Sequence, residues 1–138
     1  MKILFTGACG FIGSHVLLEL LRQDDVYEIL VIDNLSNSSS KIIDKIIKFT
    51  GKPIQFLKVD LKDQHILNNI VEMFQPEIVF HFAGLKSVKE SQTNPNLYFE
   101  NNVQGTKNLL ESLNNTNCTI IIFSSSATVY GNPIYLPY

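Results

Sequence analysis

The chain has 138 residues, of which 45% are hydrophobic and 17% charged, so it carries enough apolar sequence for one compact core and too much for a disordered segment. Its 11 basic and 13 acidic residues give a formal net charge of -2 and are interspersed along the chain. Without a basic surface to displace counterions, nucleic acid is not an expected partner.

Short apolar runs rich in Ile, Val and Phe alternate with longer segments of helical period, which predicts βαβ units on a parallel sheet. Strands are expected near residues 3–6, 29–33, 54–60, 78–82 and 119–124, and their nearly continuous apolar character suits a sheet covered on both faces. Helices are expected over residues 11–22, with Val16, Leu17, Leu20 and Leu21 as the apolar stripe, and over 41–49 and 65–74. A fourth and longest helix is expected to run from Asn94 as N-cap, with Pro95 at the first helical position, to Leu113. Residues 36–40 form a polar loop after strand two, and the NPIYLPY stretch at 132–138 reads as loop. The expected fold is therefore α/β, a Rossmann-type doubly wound parallel sheet of about five strands. A bare final strand would leave apolar surface and an unpaired edge, so the domain is expected to be incomplete at its C-terminus.

Cys9 and Cys118 have neither the number nor the spacing of a disulfide scaffold or a zinc site, and they read as interior free thiols of a cytoplasmic protein. No window approaches the roughly 20 apolar residues of a membrane-spanning helix. The apolar stretch after Lys2 is broken at Thr6-Gly7, so neither a membrane nor an export signal is expected.

Where strand one should turn into helix one, the sequence reads Thr6-Gly7-Ala8-Cys9-Gly10-Phe11-Ile12-Gly13. Gly7, Gly10 and Gly13 permit a tight turn, close approach of backbone N–H groups to a pyrophosphate, and close helix–strand packing. Such a pattern alone is also compatible with a simple tight turn. Asp33, ending strand two 20 residues after Gly13, adds an acceptor for adenosine ribose hydroxyls, and together they predict dinucleotide binding. The carboxylate would repel a 2′-phosphate, and Arg22 is the only arginine in the chain, so NAD is expected rather than NADP. Asn34, Asn37 and Ser38 extend the ribose-side loop or act as turn formers, and Asp60 reads as a strand-end aspartate or an adenine contact.

Strand four is followed by His81-Phe82-Ala83-Gly84-Leu85-Lys86, at the carboxyl edge where open α/β sheets bind ligands. Lys86 offers charge to a phosphate or is a solvated surface lysine. Strand five ends in Phe123-Ser124-Ser125-Ser126, whose hydroxyls could polarise a substrate hydroxyl or carbonyl or satisfy local backbone groups.

Read together and in order, TGACGFIGSH, VIDNLSNSS, HFAGLKSVKES, NNVQGT and FSSSATVYGNP resemble the extended short-chain dehydrogenase/reductase family of nucleotide-sugar enzymes. Within it, HFAGLKSV and SSSATVYG are closest to the 4-epimerases that interconvert UDP-glucose and UDP-galactose through a transient 4-keto sugar. The resemblance implies that Phe11 and Ile12 lie at the pyrophosphate turn. It places Asp33, Asn34, Leu35, Ser36, Asn37 and Ser38 around the ribose, and Asp60 with Leu61 at the adenine. Phe82, Ala83, Gly84, Leu85 and Lys86 would line the cofactor with Asn101 and Ser124, while Ser126 would hold the sugar's reacting oxygen. It further implies a UDP-sugar substrate, a homodimer formed through the fourth helix, and a Tyr-x-x-x-Lys pair as base. Neither Tyr130, Tyr135 nor Tyr138 heads such a pair. Residues 1–138 are thus expected to be a truncated NAD-binding domain lacking the catalytic pair and the substrate domain, and inactive alone. The alternatives are a non-catalytic dinucleotide-binding module and part of a related epimerase or dehydratase.

Overall fold

A computed structural model describes residues 1–23, 25, 27–126, 129 and 131 of the chain. The expectations for Tyr130, Tyr135, Tyr138 and the NPIYLPY stretch fall outside the described residues. Strands β1 (Lys2–Thr6), β2 (Glu28–Asp33), β3 (Gln55–Lys58), β4 (Ile78–His81) and β5 (Ile120–Phe123) form one parallel sheet in the order β3-β2-β1-β4-β5. Helices α1 (Phe11–Arg22), α2 (Lys41–Thr50) and α3 (Gln64–Phe74) connect successive strands up to β4. The β4–β5 connection holds α4 (Val88–Thr93), α5 (Pro95–Tyr98), a π-helical turn over Phe99–Gln104, and α6 (Gly105–Leu113).

Alternate residues of a strand point to opposite faces, and here both faces are apolar. Ile3, Phe5, Ile29 and Val31 pack with Leu17 and Leu21 of α1 and Ile43 and Ile46 of α2. Leu4, Leu30, Ile32 and Val79 pack with Leu67, Val71 and Phe74 of α3 and Leu109 and Leu113 of α6. The fold is doubly wound for that reason. Of the stripe expected on α1, Leu17 and Leu21 are buried, and Val16 and Leu20 flank them half-buried. Phe5 and Phe80 add a parallel ring stack at 4.7 Å.

The helix expected from Pro95 to Leu113 is present at those bounds, with Asn94 at the N-cap position and Pro95 in its first turn, but the Asn94 side chain makes no cap bond and the run passes through the π turn. A separate short helix, α4, precedes it. The N-cap of α4 is Ser87, whose Oγ accepts Glu90 N–H at 3.3 Å, and the Tyr98 hydroxyl bridges the pair by accepting Ser87 N–H and donating to Glu90 Oε2. One expectation is corrected at the sheet edges. In β5, Ile120 to Phe123 are 41–57% exposed, and β3 is also largely exposed, so only the three inner strands are covered on both faces. The exposed apolar residues of β5 are the bare final strand that the sequence predicts, whereas β3 departs from it, as an edge strand with one hydrogen-bonding neighbour and only the flank of each helical layer over it. Cys9 is buried as expected, whereas Cys118 is only half-buried.

Candidate functional site

Parallel register aligns the carboxyl ends of the strands: Thr6 lies beside Ile32 and His81, Asp33 beside Lys58, and His81 beside Phe123. The ladder continues one bond further. Gly7 N–H donates to Ile32 O at 2.9 Å, Val59 to Asp33 O at 3.2 Å, Phe82 to Thr6 O at 2.9 Å and Ser124 to His81 O at 3.1 Å. The chain segments leaving these ends rim a cleft of about 350 Å³, situated where the strand order reverses between β1 and β4. That is the ligand crevice of an open α/β sheet, and the volume is that of a small-molecule site.

The floor of the cleft is the β1–α1 turn. Gly7 has φ 73°, and a Cβ there would lie 2.4 Å from Ala83 N and 2.7 Å from Phe82 C, so the turn rests against the main chain leaving β4. On α1, a Cβ at Gly13 would meet Ala8 Cα and Gly7 O, each at 2.8 Å. α1 carries no acidic side chain in its first turn, and the N–H groups of Phe11 and Ile12 have no carbonyl within the helix to reach, so this helix end favours an anion.

Asp33 is buried at the cleft wall, and its carboxylate accepts three hydrogen bonds: Cys9 N–H at 3.0 Å, Leu35 N–H at 2.9 Å and the Ser38 hydroxyl at 3.0 Å. Leu35 and Ser38, expected around the ribose, do not line the cleft but brace this carboxylate; Leu35 takes a left-handed φ of 59° to do so. Asn34, Ser36 and Asn37 do border the cleft. Burial first, then the charge and hydrogen bond of Asp33, push the Cys9 thiol up to about 12, which makes it a neutral filler behind the turn. Asp60 accepts Asn34 Nδ2 at 3.1 Å and Lys62 N–H at 2.9 Å, and with the buried Leu61 it closes the β3 end.

Phe82 to Lys86, Asn101 and Ser124 line the opposite wall, over β4 and β5. Ser126 is not on this cleft; it is an exposed residue bordering an adjoining depression of about 330 Å³ that shares Ala83 to Lys86.

Three residues in the site architecture were not singled out from sequence. Beneath the wall, buried His81 links three elements. Thr106 Oγ1 donates to Asn102 O at 2.6 Å, leaving its oxygen to accept His81 Nε2–H at 2.8 Å; Nδ1 then accepts the Thr6 hydroxyl at 2.6 Å. The ring is neutral, its pKa lowered to about 4 by burial and secondarily by the Lys86 charge. Asn102 bonds Leu85, and buried Asn108 donates to Leu61 O at 2.9 Å and Lys62 O at 3.3 Å, so one helical segment grips the loops after both β3 and β4. The signal was present as Asn residues inside a helix, where that residue type has no propensity reason to stand. Among the described residues no cluster of metal-ligating side chains occurs, and no helix is long and apolar enough to cross a membrane.

The family described as NAD dependent epimerase/dehydratase matches residues 3–137. The UDP-glucose 4-epimerase of Erwinia amylovora is 44% identical over 138 residues, covering 100% of this chain and 40% of that protein. That of Bacillus subtilis is 46% identical over 133 residues, covering 96% and 39%. The crystal structure of UDP-glucose 4-epimerase from Bifidobacterium longum in complex with NAD+ and UDP superposes with a TM-score of 0.93 at 39% identity, over 100% of this chain and 41% of that one. The chain thus spans about 40% of the length of the curated relatives it matches.

Proposed function

The chain belongs to the NAD dependent epimerase/dehydratase family, and on that footing we propose that it is the NAD-binding part of an enzyme interconverting UDP-glucose and UDP-galactose. The observation that carries the reading is the Asp33 carboxylate, braced by three hydrogen bonds at the end of β2 and facing the cleft onto which the Gly7–Gly13 turn opens. The residues fit the group. Asp33 would offer acceptors to a ribose diol, the Phe11 and Ile12 N–H groups would meet a pyrophosphate, and Asp60 with Leu61 would border the adenine, all of them lining the cleft. Phe82 to Lys86, Asn101 and Ser124 would hold the nicotinamide half. A 2′-phosphate would meet the Asp33 charge, and Arg22 is turned to Glu19 at 3.1 Å, which supports NAD over NADP.

Bound there, the group supplies hydride removal and return at the sugar's C4. The chain's own residues bind and orient it, and Ser126 is proposed to hydrogen-bond the reacting sugar oxygen from the adjoining depression. The Tyr-x-x-x-Lys pair that would move the hydroxyl proton is proposed to stand outside residues 1–138, which would leave these residues inactive alone. Homodimerisation is proposed through the helical segment after β4, which exposes Val88, Leu97, Phe99 and Val103. A cytoplasmic location accords with the two free cysteines.

Calorimetric titration with NAD and NADP tests the cofactor. Binding of NAD at least tenfold tighter than NADP, about 1.4 kcal/mol, is expected; equal affinities would remove Asp33 from the ribose site. Conversion of UDP-galactose to UDP-glucose by the protein as its host makes it tests the activity. Turnover by residues 1–138 alone would overturn the placement of the base elsewhere.

A further inference from the structure

After Phe82 N–H bonds Thr6 O the chain leaves the sheet, and α4 begins only at Val88. Leu85, half-buried between them, lies in neither strand nor helix, so ladder or helical bonds do not satisfy its main-chain groups, which burial makes costly to leave unpaired. Asn102 satisfies both: its Oδ1 accepts Leu85 N–H at 2.8 Å and its Nδ2 donates to Leu85 O at 3.0 Å, the pair of bonds a neighbouring strand would make. Only a side chain with an adjacent donor and acceptor can do this, and Asn101 Nδ2, donating to the same Oδ1 at 3.0 Å, fixes the orientation of the amide. The base of the clamp is anchored as well, because Asn102 O receives the Thr106 hydroxyl, which accepts from His81, which accepts from Thr6 on β1.

Resting on the NAD-binding reading above, we propose that Asn102 is a positioning residue whose amide holds Gly84-Leu85-Lys86 as the wall for the nicotinamide half of the dinucleotide, and that the adenosine half does not depend on it. The strand order separates the two halves. Leu85 stands over β4 and β5, whereas Asp33, Asn34 and Asp60 stand over β2 and β3, with β1 between.

The experiment compares AMP and NAD affinities by calorimetry for the protein as its host makes it and for Asn102→Ala and Asn102→Leu, the second retaining volume in case alanine opens a hole. With both Leu85 bonds lost, NAD is expected to bind about tenfold more weakly while AMP stays within about twofold of wild type. That split in either variant sustains the proposal. NAD affinity unchanged in both variants overturns it and leaves the cofactor reading intact, and equal weakening of AMP and NAD in both reduces Asn102 to a general structural role and overturns it too. A wild-type protein that binds neither nucleotide would remove the dinucleotide reading and this proposal with it.

Discussion

Gly7 and Ala83 touch backbone to backbone: with Gly7 at φ 73°, any Cβ there would lie 2.4 Å from Ala83 N. The two turns that frame the cleft, after β1 and after β4, are therefore one packed unit. Gly51 has nearly the same φ, 69°, but nothing within 4 Å of its Cβ position.

The pair makes a controlled comparison. Gly51→Ala is expected to cost about 1 kcal/mol, the left-handed strain alone, whereas Gly7→Ala adds a main-chain collision and is expected to cost about 3 kcal/mol or more and to abolish NAD binding. Urea unfolding of both variants checks this. Equal losses would mean that the turn yields freely away from Ala83.

Asp33→Asn keeps the shape of the side chain and removes the charge that disfavours a 2′-phosphate. The preference for NAD over NADP is expected to fall about tenfold, chiefly through better NADP binding, because a like-charge contact has been removed. Dissociation constants for both cofactors decide it, and an unchanged ratio would place the 2′ position away from this carboxylate.

His81 is neutral in the folded chain, with its pKa lowered from 6.5 to about 4, burial being the main cause. Between those values the unfolded chain binds a proton that the folded chain does not. Stability from this group is therefore complete above about pH 6.5 and is lost as pH falls towards 4, at a cost of about 2 kcal/mol between pH 7 and 5. His81→Asn is expected to be less stable at pH 7 but to show a correspondingly shallower decline to pH 5. Parallel pH curves from denaturant melts would show that His81 titrates normally.

The two cysteines differ in access. Cys9 is buried with its thiol pushed up to about 12, while Cys118 is half-buried and raised by burial to a smaller extent. Iodoacetamide at pH 8 is expected to label Cys118 first and Cys9 only after unfolding, because the thiolate is the reactive species. Peptide mass mapping reads the order, and early labelling of Cys9 would mean that the turn behind Asp33 opens in the native state.

Strand period, helix stripes and turn glycines made the order of β1, α1, β2, α2, β3, α3 and β4 legible, since each depends on residues close in sequence. The cleft was legible for a related reason. Residues that follow strand ends in a parallel sheet come to one edge, so Gly7, Asp33, Asp60, Phe82 and Ser124 could be placed together once the strands were recognised. The start of α4 is also written locally, as the Ser87-x-x-Glu90 capping signal, and that of the helix after it as Asn94-Pro95.

By itself, the sequence determined the doubly wound class and the residue types at the carboxyl edge, because period and turn chemistry act over a few residues. Only the tertiary structure decided that Cys9 N–H reaches Asp33, that His81 joins Thr6 to Thr106, and that Asn102 and Asn108 reach Leu85 and Leu61. These hydrogen bonds span 17 to 75 positions, and they exist only once strands and helices have assembled and removed water from the groups they cover.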